Sequence, residues 1–181
     1  AGDRWLITGA NGVGKSTLLQ VLADELPPTS GHVTRLDGVR VGMLTQETRL
    51  PSPPTIQQWE RPSASQKNLV RWTACRAYEQ AGGIDRAAEV PLSTFGLLAA
   101  RDENRVVTEL SVGQQRRLAL AILLANPPEV LLLDEPTNHL SLRLVTELEQ
   151  AIPDYPGAIV VASHDRWLRN TWQGKRLHLA G

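Results

Sequence analysis

Short apolar runs dominate the hydrophobic pattern of this 181-residue chain. Val130–Leu133 and Ala158–Ala162 are continuous rather than alternating, and polar or turn-forming residues bound both of them. Continuous runs of this length are typical of parallel strands that helices cover on both faces. A third apolar segment, Trp5–Thr8, predicts a strand that runs directly into a glycine-rich loop.

Apolar residues at helical spacing alternate with these strands along the chain. The pattern predicts three helices: Ser16–Leu26 ended by Pro27, a helix behind an Ser111 N-cap that includes Leu118–Ala125, and Leu142–Ile152 behind an Ser141 N-cap. Alternating strands and helices favour an α/β domain built on a doubly wound or P-loop-type parallel sheet.

The middle of the chain has a different pattern. Val33–Thr45 alternates apolar and polar residues around Asp37-Gly38, which predicts a pair of strands. The proline-rich segment Leu50–Pro62 predicts a connection. Lys67–Ala81 and Val90–Leu98 predict helices, so we expect an α-helical subdomain (about 51–126) inserted into a core formed by 1–50 and 127–181.

Composition narrows the possible classes of protein. Lys plus Arg and Asp plus Glu number 19 each, whereas a domain that grips nucleic acid mainly through its own surface is usually basic, so direct DNA binding is not expected. No apolar run approaches the roughly 20 residues of a membrane-spanning helix, and the N-terminus has no signal-peptide pattern. The single cysteine, Cys75, fits a reducing cytoplasm.

The loop after the first predicted strand has the sequence G-A-N-G-V-G-K-S, from Gly9 to Ser16. Gly12 and Gly14 lack Cβ atoms, so backbone N–H groups can converge there on phosphate oxygens. The helix that follows directs about half a unit of positive charge at the same point. Lys15 can reach the outer phosphates and the Ser16 hydroxyl can ligate Mg²⁺, so the sequence predicts a phosphate-binding loop.

Polar residues follow the other predicted strands at the edge where ligands bind in open α/β sheets. Asp134 can hold Mg²⁺ through water, and Glu135 can orient or deprotonate an attacking water. His164 can donate a hydrogen bond to a terminal phosphate. Gln46, at the end of the strand predicted over Val41–Thr45, can contact Mg²⁺ and the water.

These elements, in this order, resemble the nucleotide-binding domain of ABC-type ATPases over nearly the whole chain. Leu110–Gln114, L-S-V-G-Q, resembles the signature that acts on the nucleotide of a partner domain. The other correspondences are Gly9–Ser16 with the Walker A loop, Gln46 with the Q-loop glutamine, Val130–Glu135 with the Walker B strand, and His164 with the switch histidine.

The resemblance implies a P-loop NTPase (RecA-like) fold, with ATP and Mg²⁺ as cofactors and ATP hydrolysis as the reaction. The implied catalytic residues are Glu135, His164 and Gln46, and the implied Mg²⁺ ligands are Ser16, Gln46 and, through water, Asp134. The implied contacts to ATP come from Gly9, Asn11, Gly12, Val13, Gly14, Lys15, Ser16 and Thr17, and those to the partner's ATP from Ser111, Gly113 and Gln114.

Two strings narrow the resemblance to the F subfamily: Asp134–Leu140, D-E-P-T-N-H-L, and Ser163–Arg166, S-H-D-R. Proteins of this subfamily lack transmembrane domains, carry two nucleotide-binding domains in one polypeptide, and act on the ribosome as translation factors or antibiotic-resistance factors. We therefore expect a cytoplasmic protein, a second ABC-type domain as partner (in the same polypeptide or as a homodimer) and the ribosome as target. We favour the second of the two domains, truncated at its N-terminus so that the early antiparallel strands, with the aromatic that stacks on adenine, are missing.

Two positions depart from the family pattern. Val112 stands where the signature usually has glycine, and Ser141 stands where an aspartate usually follows the Asn-His-Leu run. These departures, together with the missing early strands, keep open a nucleotide-gated binding module with negligible turnover. The ATP-binding subunit of a membrane transporter is the other alternative, and Asn138–Leu140 argues against it.

Overall fold

The computed structural model describes residues 2–45, 50, 72–137, 152 and 155–180. The contacts divide the chain into two compact units, one formed by Ala1–Glu47 with Pro127–Gly181 and the other by Thr48–Asn126. Among the described residues, no helix is long and apolar enough to cross a membrane.

The first unit contains a parallel sheet of five strands in the order β2-β3-β4-β1-β5. The strands are β1 (Arg4–Gly9), β2 (Val41–Leu44), β3 (Val130–Asp134), β4 (Ala158–Ala162) and β5 (Lys175–Leu179). The parallel sheet predicted from the apolar runs is confirmed. Because all the strands point the same way, the loops after β1, β3 and β4 meet at one edge.

Helices α1 (Lys15–Ala23) and α6 (Arg166–Thr171) belong to the same unit. Leu19 of α1 packs with Ile7, Leu132 and Ala162 in a buried core cluster on one face of the sheet. Residues that alternate with these along the strands, such as Leu6 and Leu131, are also buried. The burial of both faces explains why the strand sequences are continuously apolar.

Helix α1 ends three residues before the predicted end at Leu26. Asp24 adopts a left-handed conformation, with φ of 66°, and its N–H donates to the carbonyls of Gln20 and Val21. This αL cap satisfies carbonyls of the last turn and turns the chain away from the helix. The helix therefore ends before Pro27 can terminate it.

The predicted strand pair over Val33–Thr45 is wrong. Only Val41–Leu44 forms a strand, and β2 pairs in parallel with β3 rather than with the segment before it. Val33 and Leu36 remain exposed, Leu36 to 80%. Apolar alternation marks a strand only where a neighbouring strand supplies the ladder, and the described residues offer none beside this segment.

The second unit is helical in the part that the structure describes. Its helices are α2 (Ala74–Gly82), α3 (Ile84–Glu89), α4 (Ala100–Glu103) and α5 (Val112–Ala125), with 3₁₀ turns at Leu92–Phe95 and Val107–Glu109. Helix α2 packs against α3, α4 and α5. The helix predicted over Val90–Leu98 is only the first of these 3₁₀ turns, because Pro91 precedes it and Gly96, with φ of 59°, ends it.

Several predictions lie outside the described residues. They concern Gln46, Ser141, the string Asn138–Leu140, and the segments 51–71 and 142–151.

Candidate functional site

The phosphate loop, Gly9–Ser16, depends on glycine for its backbone. Gly9, Gly12 and Gly14 have φ values of 153°, 80° and 99°, which residues with a Cβ rarely adopt. A Cβ at Gly9 would also lie 2.7 Å from the carbonyl oxygen of Leu179. Nothing lies within 4 Å of a Cβ built at Gly12 or Gly14, so the loop leaves open space there.

Helix α1 begins at this loop without a side-chain cap. Gly14 occupies the N-cap position, no side chain accepts from the first turn, and that turn carries no acidic residue. The N–H groups at a helix start lack intrahelical partners and carry the positive end of the helix dipole. An anion such as a phosphate can therefore bind there.

Lys15 adds a full positive charge beside the loop. It is only 7% exposed. Its Nζ donates to the carbonyl oxygens of Gly9 and Ala10 at 3.1 and 3.0 Å. An ammonium group has three donors, so Lys15 can hold the loop closed and still donate to an anion.

A cleft of about 340 Å³ joins the loop to the acidic strand end. This volume is within the range of small-molecule sites. The residues that line it all belong to the first unit: Asn11, Gly12, Gly14, Lys15, Ser16, Thr17, Glu135 and His164. The structure thus brings most of the predicted phosphate-loop residues together with Glu135 and His164.

Glu135 is buried and held in an unusual conformation. It is 7% exposed, its φ is 46°, and its backbone N–H donates to the carbonyl of Ala162 at 2.9 Å. The carboxylate accepts from Ser163 Oγ at 3.2 Å and from the backbone N–H of His164 at 3.2 Å, and lies 2.8 Å from His164 Nδ1. These contacts fix the carboxylate in the cleft, where it can orient a water molecule.

Strand order explains this meeting of Glu135 and His164. Strands β3 and β4 are neighbours, with Asp134 paired to Ala162, so the residues that follow them are adjacent. Strand β1 lies on the other side of β4 and leads into the phosphate loop. Ser163 was not among the predicted site residues, although it directly precedes His164, which was predicted to belong to the site.

The oxygen donors suit Mg²⁺ in combination with phosphates. Asp134 ends β3 and is 3% exposed, and Ser16 offers a hydroxyl at the start of α1. The described residues contain no cluster of three His, Cys, Asp or Glu that could hold a metal alone. Mg²⁺ usually binds through one or two carboxylates together with substrate phosphates and water, so the donor set fits this ion.

The signature turn, Leu110–Gln114, belongs to the second unit and starts helix α5. Ser111 is the N-cap of a capping box: its Oγ accepts from the N–H of Gln114 at 3.3 Å, and its own N–H donates to Gln114 Oε1 at 2.9 Å. Val112 is the first helical residue and is 62% exposed. It is not among the non-glycine residues with positive φ, so valine is accommodated where the family usually has glycine.

Asp102 and Gln115, which the sequence did not single out, support this turn. Gln114 Nε2 donates to Asp102 Oδ2 at 2.8 Å. Gln115 Nε2 donates to the carbonyls of Val107 and Leu110 at 3.2 and 3.1 Å. The S-x-x-Q spacing of Ser111 and Gln114 indicates a capping box, but no local pattern points to Asp102.

The family model described as ABC transporter matches residues 1–138 of the chain. The chain belongs to this family. The relatives confirm the predicted F subfamily, because they include ABC transporter F family member 4 of Arabidopsis thaliana, 34% identical over 169 residues, or 91% of the chain and 21% of that protein.

Two bacterial relatives have more specific names. Tylosin resistance ATP-binding protein TlrC of Streptomyces fradiae is 44% identical over 180 residues, or 99% of the chain and 29% of that protein. Energy-dependent translational throttle protein EttA of Haemophilus influenzae is 31% identical over 196 residues, or 96% of the chain and 35% of that protein. The chain thus spans about a third or less of the length of these relatives.

Solved structures confirm the fold. The dimeric structure of MJ0796, a bacterial ABC transporter cassette, has a TM-score of 0.69 and 25% identity, covering 98% of the chain and 81% of that protein. A dimeric post-hydrolysis state of the same cassette, bound to ADP and Pi, has a TM-score of 0.63 and 23% identity, covering the same shares. The chain is therefore an ABC ATP-binding domain with the α/β P-loop fold.

Proposed function

We propose that this domain binds Mg-ATP and hydrolyses it as one half of a composite site. The observation that carries the proposal is that residues of the phosphate loop, including Lys15, line the same cleft as Glu135. Phosphate-binding and water-orienting groups are thus side by side, as hydrolysis of a terminal phosphate requires.

The geometry of the cleft supports a role for each of its residues. The start of α1 and the Lys15 ammonium bind the triphosphate, and Ser16 and Asp134 would hold Mg²⁺, which neutralises charge on the phosphate oxygens when bound. Glu135 orients the attacking water and accepts its proton. His164 holds Glu135 through its backbone N–H and Nδ1; it also lines the cleft, where its proposed role is to contact the terminal phosphate.

The signature turn is proposed to complete the site of a partner ABC-type domain. That domain is either in the same polypeptide or a second copy of this chain. The Ser111 hydroxyl, the N–H of Gly113 and the positive end of the 14-residue helix α5 would bind the terminal phosphate of the partner's ATP. The dimeric form of the similar MJ0796 cassette supports this pairing.

Glu135→Gln tests the hydrolytic role. The substitution keeps the shape of the side chain but removes the base, so we expect kcat to fall by on the order of a hundredfold or more while ATP binding is retained. Paired domains should then accumulate with ATP and separate with ADP in size-exclusion chromatography. Glu25→Gln, a matched change at an exposed position outside the cleft lining, is the control, and normal turnover in Glu135→Gln would refute the assignment.

We further propose that the protein acts on the ribosome. The names of the two bacterial relatives, a translational throttle protein and a tylosin resistance protein, support this target. The protein carrying Glu135→Gln should co-sediment with ribosomes in ATP and less in ADP. Co-purification with a membrane protein, and no ATP-dependent ribosome binding, would instead favour a transporter subunit.

A further inference from the structure

A buried carboxylate lies behind the signature turn and connects its two sides. Asp102, in α4, is 7% exposed. Its Oδ2 accepts from Gln114 Nε2 at 2.8 Å and its Oδ1 accepts from Arg105 Nη1 at 3.1 Å. Each carboxylate oxygen thus has a donor on a different side chain.

Each of these donors holds a residue of the turn or next to it. The Oε1 of Gln114 accepts from the N–H of Ser111 at 2.9 Å. Arg105 Nη2 donates to the carbonyl of Glu109. Asp102 is therefore connected through Gln114 to residue 111 and through Arg105 to residue 109, the two neighbours of Leu110.

We propose that Asp102 is a positioning residue for the signature turn, and that Gln114 is its connection to Ser111 rather than primarily a ligand of the partner's nucleotide. A freely rotating Gln114 would hold the N–H of Ser111 only part of the time. A carboxylate that accepts from Nε2 fixes the orientation of the amide, so that Oε1 faces Ser111. The inference rests on the proposed role of the signature turn toward the partner's ATP.

An exchange of acid and amide tests this network. In Asp102→Asn, one amide oxygen replaces two acceptors, so the new NH₂ must face either the NH₂ of Gln114 or the guanidinium of Arg105, and either orientation removes one of the two connections to the turn. In Gln114→Glu, two carboxylates face each other. In the double variant the new amide at position 102 accepts from Arg105 and donates to the new carboxylate at position 114, which still accepts from Ser111. The double variant therefore restores every bond without changing the net charge.

The first readout is hydrogen exchange at the Ser111 amide, measured by NMR on the chain itself. We expect protection at Ser111 to fall severalfold in both single variants and to recover in the double variant, the size expected for one weakened hydrogen bond. Asp85→Asn, which neutralises an exposed acid in α3, should leave Ser111 unchanged. Unchanged protection in folded single variants, or no recovery in the double variant, overturns the network.

The second readout is turnover of the paired domains. The single variants should lower kcat on the order of tenfold and leave the affinity of each domain's own cleft for a fluorescent ADP analogue unchanged, because the turn serves only the partner's nucleotide. The double variant should recover kcat. Normal kcat in variants with reduced Ser111 protection overturns the positioning role.

A failure to fold and a failure of the proposed function can each be distinguished from a failure of the positioning role of Asp102. If Asp102→Asn does not fold, recovery of Gln114→Glu in the double variant still tests the contact between the side chains at positions 102 and 114. If the wild-type protein hydrolyses no ATP, the proposed function fails, whereas the exchange of Ser111 still decides whether Asp102 orders the turn.

Discussion

The phosphate loop shows how single residues set the geometry of the site. Within the protein itself, Gly14 needs glycine for its φ of 99°, because a Cβ there would meet no protein atom within 4 Å. Gly9 needs it twice, for its φ of 153° and for the close approach of the Leu179 carbonyl and the Val13 side chain. The positive φ values are local to the chain, so the motif could be predicted from the sequence, whereas the approach of Leu179 to Gly9 depends on the pairing of β1 with β5. Asp102 is different, because its role depends on a contact with Gln114 that no spacing in the sequence predicts.

Alanine substitutions separate the two requirements. Gly14→Ala should destabilise the domain by about 1–2 kcal/mol, the strain of a positive φ in a residue with a Cβ. Gly9→Ala should destabilise it more, because a Cβ at 2.7 Å from a backbone oxygen forces the sheet edge to move. Urea unfolding of both variants measures the difference, and equal losses would mean that strain alone accounts for Gly9.

Strand β4 is fixed at its start by a residue of another strand. Arg4 of β1 donates from Nε to the carbonyl of Ile152 at 2.7 Å and from Nη1 to that of Gly157 at 2.6 Å. It also donates from Nη2 to the carbonyl of Tyr155. The guanidinium thus organises the segment that leads into β4, whose other end supplies Ser163 and His164.

Arg4→Lys should lower the free energy of unfolding by about 2 kcal/mol. Lysine keeps the charge, but one ammonium cannot reach several carbonyls in the planar arrangement of a guanidinium, and unsatisfied carbonyls would remain. Arg169→Lys is the matched control, because Arg169 is an exposed residue of α6. Denaturant unfolding of both variants gives the comparison, and equal effects would contradict the role of Arg4.

An ion pair between Arg40 and Glu129 joins the starts of β2 and β3. Arg40 Nη2 donates to Glu129 Oε1 at 3.1 Å, and the backbone N–H of Arg40 donates to Oε2 at 2.8 Å. The side chain of Arg40, followed by its backbone N–H, lowers the pKa of Glu129 from 4.5 to about 2.

This lowered pKa predicts the direction of a pH effect. The carboxylate stabilises the folded state fully above pH 4.5, and its contribution is lost as the pH falls through about 2, below which the group is protonated in both states. Glu129→Gln should therefore be less stable than wild type at pH 7, and the difference should shrink between pH 4.5 and 2. Urea unfolding across this range tests the pair against Glu25→Gln, an exposed carboxylate; a constant difference for Glu129→Gln would contradict the assignment.

Elements with continuous apolar sequence were predictable because burial on both faces leaves no polar positions. The pairing within Val33–Thr45 was not predictable, because an alternating pattern forms a strand only beside a neighbouring strand. Strand β2 pairs instead with β3, which lies far along the chain. The end of α1 was set by the αL conformation of Asp24 rather than by Pro27. Capping by an aspartate in this conformation is uncommon enough that proline is the stronger sequence signal.

At the scale of the whole molecule, the two units supply different halves of the proposed reaction. The first unit holds the cleft, and the second begins α5 at Ser111. A chain whose cleft needs a signature turn from a partner cannot complete its own site. We therefore expect ATP turnover to depend on association with a partner domain. A cleft that was complete by itself would not show this dependence.

Complementation between two inactive variants tests this dependence directly. Lys15→Ala removes phosphate binding but keeps the signature turn, whereas Ser111→Arg blocks the turn and keeps the cleft. Each variant alone should be inactive, but an equal mixture of associating chains should regain about a quarter of wild-type turnover, because half of the pairs are mixed and each mixed pair has one intact site. Dilution should abolish turnover in the mixture and in wild type alike. Rapid hydrolysis by a strictly monomeric wild-type sample would contradict the composite site, since no second signature turn would then be present.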